Sequence, residues 1–246
     1  MIAAEPAIDE VSAAVYVIPT DAPEARLPGL PLARQLGRIR DDVPVYGSGG
    51  FTSYDEQQTR EQLTGWVERD RDPRVKIKIG EAWGTNVRRD LERVALAREI
   101  IGQDTELYVD ANGAYTTGQA VRVGHQLADF GVSWFEEPVS SDDLAGLAAV
   151  RKAGAVDCLQ LDVTRCGGIS EFLRGAALAA GHSMQVSAHC APNLHAPEYF
   201  HDHQRTEQLM FDGALDPHGG TLAPDPALPG LGLELRTTDA AHYRRA

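Results

Sequence analysis

Six ionisable residues recur at the ends of short apolar runs in this chain, and their types suit proton chemistry next to a bound cation. VKIKIG (75–80) carries Lys76 and Lys78, ELYVD (106–110) ends in Asp110, and SWFEEP (133–138) carries Glu136. CLQLD (158–162) ends in Asp162 and MQVSAH (184–189) ends in His189. A charge at the end of a buried strand costs desolvation energy unless it is partnered. A row of parallel strands whose C-terminal ends carry ionisable groups is the way a barrel enzyme assembles a site. Side chains alternate across a strand, so Lys76 and Lys78 share one face while Val75, Ile77 and Ile79 share the other. Asp110 and Glu136 stand 26 residues apart on successive strands, and hard oxygen ligands without a cysteine or a histidine pair suit Mg2+ better than Zn2+. Asp162 and His189 stand 27 residues apart, and a carboxylate beside an imidazole fixes its tautomer and raises its basicity, as a general acid/base requires. Taken singly, each residue has a plainer reading: lysines on a solvated edge strand, carboxylates as helix caps, a histidine satisfied in the core.

The elements that must position these groups alternate regularly. A strand at 43–49 precedes an amphipathic helix over 54–69, and the VKIKIG strand precedes a helix over 87–101. ELYVD precedes a helix over 117–130 with Gly131 as its C-cap, and SWFEE precedes a helix over 142–153 followed by Gly154. CLQLDV precedes a helix over 169–180, MQVSAH a helix over 196–205, and QLMFDG (208–213) is the last strand. Upstream, 9–19 reads as a strand, residues 20–33 as a Pro-rich junction, and 31–38 as a short helix. Strand–helix alternation with short connections implies a parallel sheet with right-handed crossovers, an α/β architecture of TIM-barrel type. Seven strands are counted from Val43 onward, one fewer than a closed barrel of eight.

Composition sets bounds on the partners. The 246 residues suffice for one α/β barrel or two small domains, and a net charge of −13 argues against nucleic acid or an anionic membrane surface. No run approaches the roughly 18 apolar residues of a membrane span. The opening MIAAEPAIDE lacks the basic flank and apolar core of a signal peptide, and three cysteines without metal-ligand spacing fit a reducing compartment, so the expected location is cytoplasmic.

KIK at 76–78, DANGAY at 110–115, WFEEP at 134–138, LDVTRCGGI at 161–169 and SAH at 187–189 together resemble the barrel domain of the enolase superfamily, in its mandelate racemase/muconate lactonizing enzyme-like branch. The resemblance runs from about Val43 to Leu235. It implies Asp110 and Glu136 as ligands of Mg2+, Lys78 as the base on one face of the substrate and Lys76 as an electrostatic helper. It implies His189, paired with Asp162, as base or acid on the other face. Asn112 and Asp212 are carried as substrate contacts. The implied reaction is removal of the proton α to a carboxylate in a hydroxy acid or sugar acid, giving racemisation, epimerisation or dehydration through an ene-diolate.

Two parts of the family pattern are missing from the sequence. Residues 1–40 hold only a remnant of the capping domain and a junction, before a barrel over 41–235 and a tail over 236–246. The strand carrying the third metal-ligating glutamate, expected between WFEEP and LDVTRCGGI, is also absent. Asp162 falls 26 residues after Glu136 and is the alternative third ligand, at the expense of its pairing with His189. An open slot in a barrel exposes unpaired edges, which implies a homo-oligomer or insertion of the 9–19 strand. The alternative function is a truncated, catalytically impaired relative with an incomplete metal site.

Overall fold

The structure, a computed structural model, describes residues 30–38, 40–140, 143–156, 158–163, 168–189 and 198–243. The expected strand at 9–19 lies outside the described residues.

Parallel strands carry the architecture. They are β1 (Tyr46–Gly49), β2 (Arg74–Lys78), β3 (Glu106–Asp110), β4 (Val132–Glu136), β5 (Cys158–Leu161), β6 (Gln185–Ala188) and β7 (Glu198–Phe200). Between them run α1 (Glu56–Thr64), α2 (Val87–Ile101), α3 (Thr117–Leu127), α4 (Leu144–Lys152) and α5 (Ile169–Gly181), with α6 (His201–Met210) after β7. Five strands form one parallel sheet in the order β4-β3-β2-β1-β7, and β5 and β6 pair parallel in a second. Among the described residues no ladder joins β4 to β5, where the resemblance places an additional strand, and none joins β6 to β7. A cavity of about 310 Å³ opens between β4 and β5, lined by Val139, Leu147, Cys158, Leu178 and Met184 from the elements on its two sides.

Alternation along each strand separates two environments. Val75, Ile77, Leu107, Val109 and Phe135 face outward and join Leu63, Trp66, Val94, Ala97, Val123 and Leu127 of the helical layer in the main core. Tyr46, Tyr108 and Trp134 face inward and pack on one another with ring centroids 4.9–5.5 Å apart. They fill the interior below the charged residues, as side-chain layers do in a barrel. Helix α1 starts at a capping box formed by Asp55 and Gln58, and α3 at one formed by Thr116 and Gln119. Gly131 ends the α3 segment in the left-handed region, with φ 63°. Two buried side chains of α2 tie down the strand-end loops. Asp90 accepts from the Gly80 and Glu81 amides and from the Tyr115 hydroxyl, and Arg93 donates to the carbonyls of Gly50, Phe51 and Tyr54.

The C-terminal third departs from the expected pattern. The segment expected as a helix over 196–205 contains β7 instead, and the helix begins at His201. β7 is three residues long, too short for a period-two signal, and pairing with β1 in the register Tyr46↔Glu198 decides its conformation. QLMFDG is not a barrel strand. Residues 208–210 complete α6, and Phe211–Asp212 pair antiparallel with Glu234–Leu235. The strand expected over 43–49 is interrupted at Pro44, with Val43–Pro44 pairing antiparallel to Thr221–Leu222. No helix among the described residues is long and apolar enough to cross a membrane.

Asp72 lies buried against β1, where a Cβ on Gly47 would sit 3.1 Å from its Oδ2. Burial, reinforced by the charge of Asp70 and opposed by Arg69, pushes its carboxyl up to about 6. The folded state therefore holds the proton more tightly than the unfolded chain, and stability falls as pH rises from about 4 to about 6. Asp72→Asn is expected to stabilise the protein by about 1–2 kcal/mol at pH 7.5, after allowance for solvent screening. The advantage should vanish near pH 4; thermal melts of both proteins across that range measure it.

Candidate active site

The charged residues of β2, β3, β4 and β7 meet in one buried cluster. Lys78, Asp110 and Glu136 are cross-strand neighbours in one row, and Ser48 and Lys76 are neighbours in the row beneath it. Glu198 enters from β7, next to Tyr46 on β1. Lys76, Asp110, Glu136 and Glu198 are each 2% exposed or less. The Lys76 Nζ lies 2.6 Å from Glu198 Oε1, 2.7 Å from Glu136 Oε2 and 3.6 Å from Asp110 Oδ2. It also stands 5.2 Å from the centroid of the Tyr46 ring, within cation–π range. Lys78 donates to Asp110 Oδ2, and its side chain keeps 11% exposure, the widest opening to solvent among these five.

Two more groups complete the centre. Ser48 Oγ donates to Glu198 Oε1 at 2.7 Å, and His189 Nδ1 stands 3.1 Å from Glu198 Oε2. His189 directly follows β6, where its amide donates to the Leu161 carbonyl on β5. Asn112, in the left-handed region at φ 46°, donates from its backbone to Asp110 Oδ1 at 2.8 Å. Its side-chain amide stands 3.3 Å from both Asp110 Oδ2 and Glu137 Oε2.

Three carboxylates share two ammonium groups, and the imbalance sets the protonation of the cluster. Burial alone would lower the Lys76 pKa, but Glu136, Tyr46, Glu198 and Asp110 reverse that and hold it well above the usual lysine range. Burial would raise Asp110 and Glu198, yet the lysines keep Asp110 below the usual carboxylate range, and Lys76, His189 and Ser48 hold Glu198 well below it. Glu136 is the remainder. Burial and then the charges of Asp110 and Glu198, against Lys76, push it up to about 8. Its Oε1 has no hydrogen-bond partner among the described residues. An orphaned buried oxygen beside a second buried carboxylate is acceptor capacity that a divalent cation would satisfy, so the donor set fits a hard metal ion.

Lys76 and Lys78 of β2, Asp110 of β3, Glu136 of β4 and His189 after β6 thus converge. Asp162 follows β5 directly and is half-buried, beside the β5–β6 backbone contact that positions His189. Asp212 is not in this buried cluster: its side chain is 65% exposed and paired with Arg236 at 2.7 Å. Glu198 is the residue that sequence reasoning missed. It opens a strand rather than ending one, and its triplet EYF precedes the polar run HDHQR, so a lone carboxylate ahead of two aromatic residues was the only signal the sequence offered.

Comparison with known proteins gives the family and fold. The family described as Enolase C-terminal domain-like matches residues 58–154 and 150–240. D-galactarolactone cycloisomerase of Agrobacterium fabrum is 35% identical over 178 residues, covering 62% of this chain and 46% of the relative. The chain spans about half the length of the curated relatives it matches. A mandelate racemase/muconate lactonizing enzyme-like protein from Rubrobacter xylanophilus superposes with a TM-score of 0.77 at 47% identity, covering 89% of this chain and 69% of that one. L-talarate dehydratase from Polaromonas sp. JS666, complexed with Mg and L-glucarate, superposes with a TM-score of 0.74 at 27% identity, over 89% of this chain and 68% of that one.

Removing the shared cation should expose the strain of three buried carboxylates. Lys76→Met is expected to lower stability by about 3–5 kcal/mol, because it leaves Glu136 and Glu198 buried without their ammonium. Urea titration measures this, and adding Glu136→Gln to that variant should recover part of the loss. An unchanged midpoint in Lys76→Met would show that the cluster does not constrain the fold.

Proposed function

The chain belongs to the Enolase C-terminal domain-like family, and from that footing we propose that it removes the proton α to the carboxylate of a hydroxy acid or sugar acid. The observation that carries the reading is the convergence of two lysines, a histidine and three carboxylates from four strands and a strand end on one centre. Relatives named as cycloisomerases, dehydratases and racemases support the same class of chemistry.

Asp110 and Glu136 would hold Mg2+, which when bound supplies positive charge against the enolate that develops on the substrate. This chain's residues do the rest. Lys76 is locked among carboxylates and stays protonated, so it serves as fixed electrostatic support and not as a base. Lys78 keeps partial access to solvent and is the base on one face. His189, oriented by Glu198 at Nδ1, is the base or acid on the other face through its second nitrogen. Return of the proton by His189 on the opposite face gives racemisation or epimerisation. Its delivery to a β-hydroxyl leaving group gives dehydration. Asn112 fixes the Asp110 carboxylate and so acts on substrate through that ligand.

A second reading rests on the seam between β4 and β5, where the described residues include no strand bearing a third ligating glutamate. In that reading the chain is a catalytically impaired relative.

Incubation of the protein with Mg2+ and a panel of hydroxy acids and sugar acids in D2O separates the two. The first reading expects deuterium to enter the α position of at least one acid, detected by NMR. It also expects Lys78→Ala or His189→Asn to slow exchange on the corresponding face by about 10²–10⁴-fold. Absence of exchange with every acid leaves only the impaired relative.

A further inference from the structure

The carboxylates around Lys76 are each only half engaged by it. Lys76 approaches Glu136 through Oε2 and Glu198 through Oε1. The remaining oxygens are Glu136 Oε1, which has no hydrogen-bond partner among the described residues, and Glu198 Oε2, which faces His189 Nδ1 at 3.1 Å and Gln160 Nε2 at 3.4 Å. One ligand atom from each of Glu136, His189 and Glu198 lies within 4.8 Å of the others. Glu136 is 2% exposed and Glu198 0%, so both carboxylates are withdrawn from water.

We propose that Glu136, His189 and Glu198 form a second divalent-cation position, distinct from the Asp110–Glu136 pair and selective for Zn2+ over Mg2+. The ligand set has one imidazole nitrogen and two carboxylate oxygens. Imidazole suits Zn2+, whereas Mg2+ prefers all-oxygen octahedral surroundings and sheds water reluctantly. Charge also favours the site. With a neutral imidazole and all three carboxylates ionised, two ammonium groups face three carboxylates, so a divalent cation that displaces the Glu136 proton enters a net negative centre while Lys76 keeps its own oxygens. The two positions share Glu136, so they exclude each other. Zinc at the second position displaces the hydrogen bond between Nδ1 and Glu198, takes the Nδ1 lone pair with the ring proton moved to Nε2, and fixes the ring. In the reaction proposed above it is therefore an inhibitor, a consequence that rests on that reading, whereas the site itself does not.

The test uses the full chain stripped of metal by chelator, with Zn2+ and Mg2+ titrated separately by calorimetry. Zinc is expected to bind one to one and at least tenfold more tightly than Mg2+. His189→Asn and Glu198→Gln should each weaken Zn2+ at least tenfold, while Asp110→Asn should leave Zn2+ in place and weaken Mg2+. Cobalt(II) added to the unsubstituted chain gives a readout free of folding effects, since a low-coordinate site with nitrogen absorbs strongly in the visible and an all-oxygen octahedral site only faintly. Zinc affinity unaltered by His189→Asn, or only faint cobalt absorption, overturns the proposal. Zinc binding without any Mg2+ binding supports this site and counts against the Mg2+ reading above.

Discussion

The ammonium of Lys76 is the constraint on which the interior depends. It is fully buried and lies within 3.6 Å of three carboxylates carried by three different strands. A buried ion pair seldom adds net stability over an apolar contact, but separating its members leaves uncompensated charge. β2, β3, β4 and β7 are thus tied to one register: a slip of one residue in any of them would turn its charged side chain into the apolar layer beneath the helices. The aromatic layer of Tyr46, Tyr108 and Trp134 closes the barrel interior below the lysine and keeps water from that side.

Lys76 and Lys78 are two residues apart on one strand and differ in burial, which is the basis for the different roles proposed for them. The deeper one is surrounded by carboxylates and its proton is held in place, which makes it a source of field. The shallower one shares a single carboxylate and reaches solvent, the access on which its proposed role as base rests. Asn112, in a left-handed backbone position just past β3, holds the carboxylate between them.

Among the described residues the sheet departs from a closed barrel at two seams, between β4 and β5 and between β6 and β7. The five-stranded sheet retains both lysines and the three carboxylates nearest them, while the two-stranded sheet supplies His189. Glu198 spans the division, since it sits on β7 of the larger sheet and meets His189 from the smaller. One interaction at 3.1 Å therefore connects the two halves of the proposed acid–base machinery.

The sequence by itself determined the alternation from Val75 to Ala180, because runs such as VKIKI and ELYVD carry period two and the segments between them carry helical spacing and caps. Helix 87–101 and strand 106–110 match their expected limits for that reason. It also determined that Lys76, Lys78, Asp110 and Glu136 share an inward face, since alternation is local. Tertiary structure alone decided the C-terminal third. β7 has too few residues for a pattern of its own and exists through hydrogen bonds to β1, some 150 positions away, while Phe211–Asp212 found an antiparallel partner instead of a place in the barrel. Glu198 joined the site by the same route. A contact made by a strand's first residue across a large sequence separation leaves no periodic trace, and only the assembled sheet brings it to Lys76 and His189.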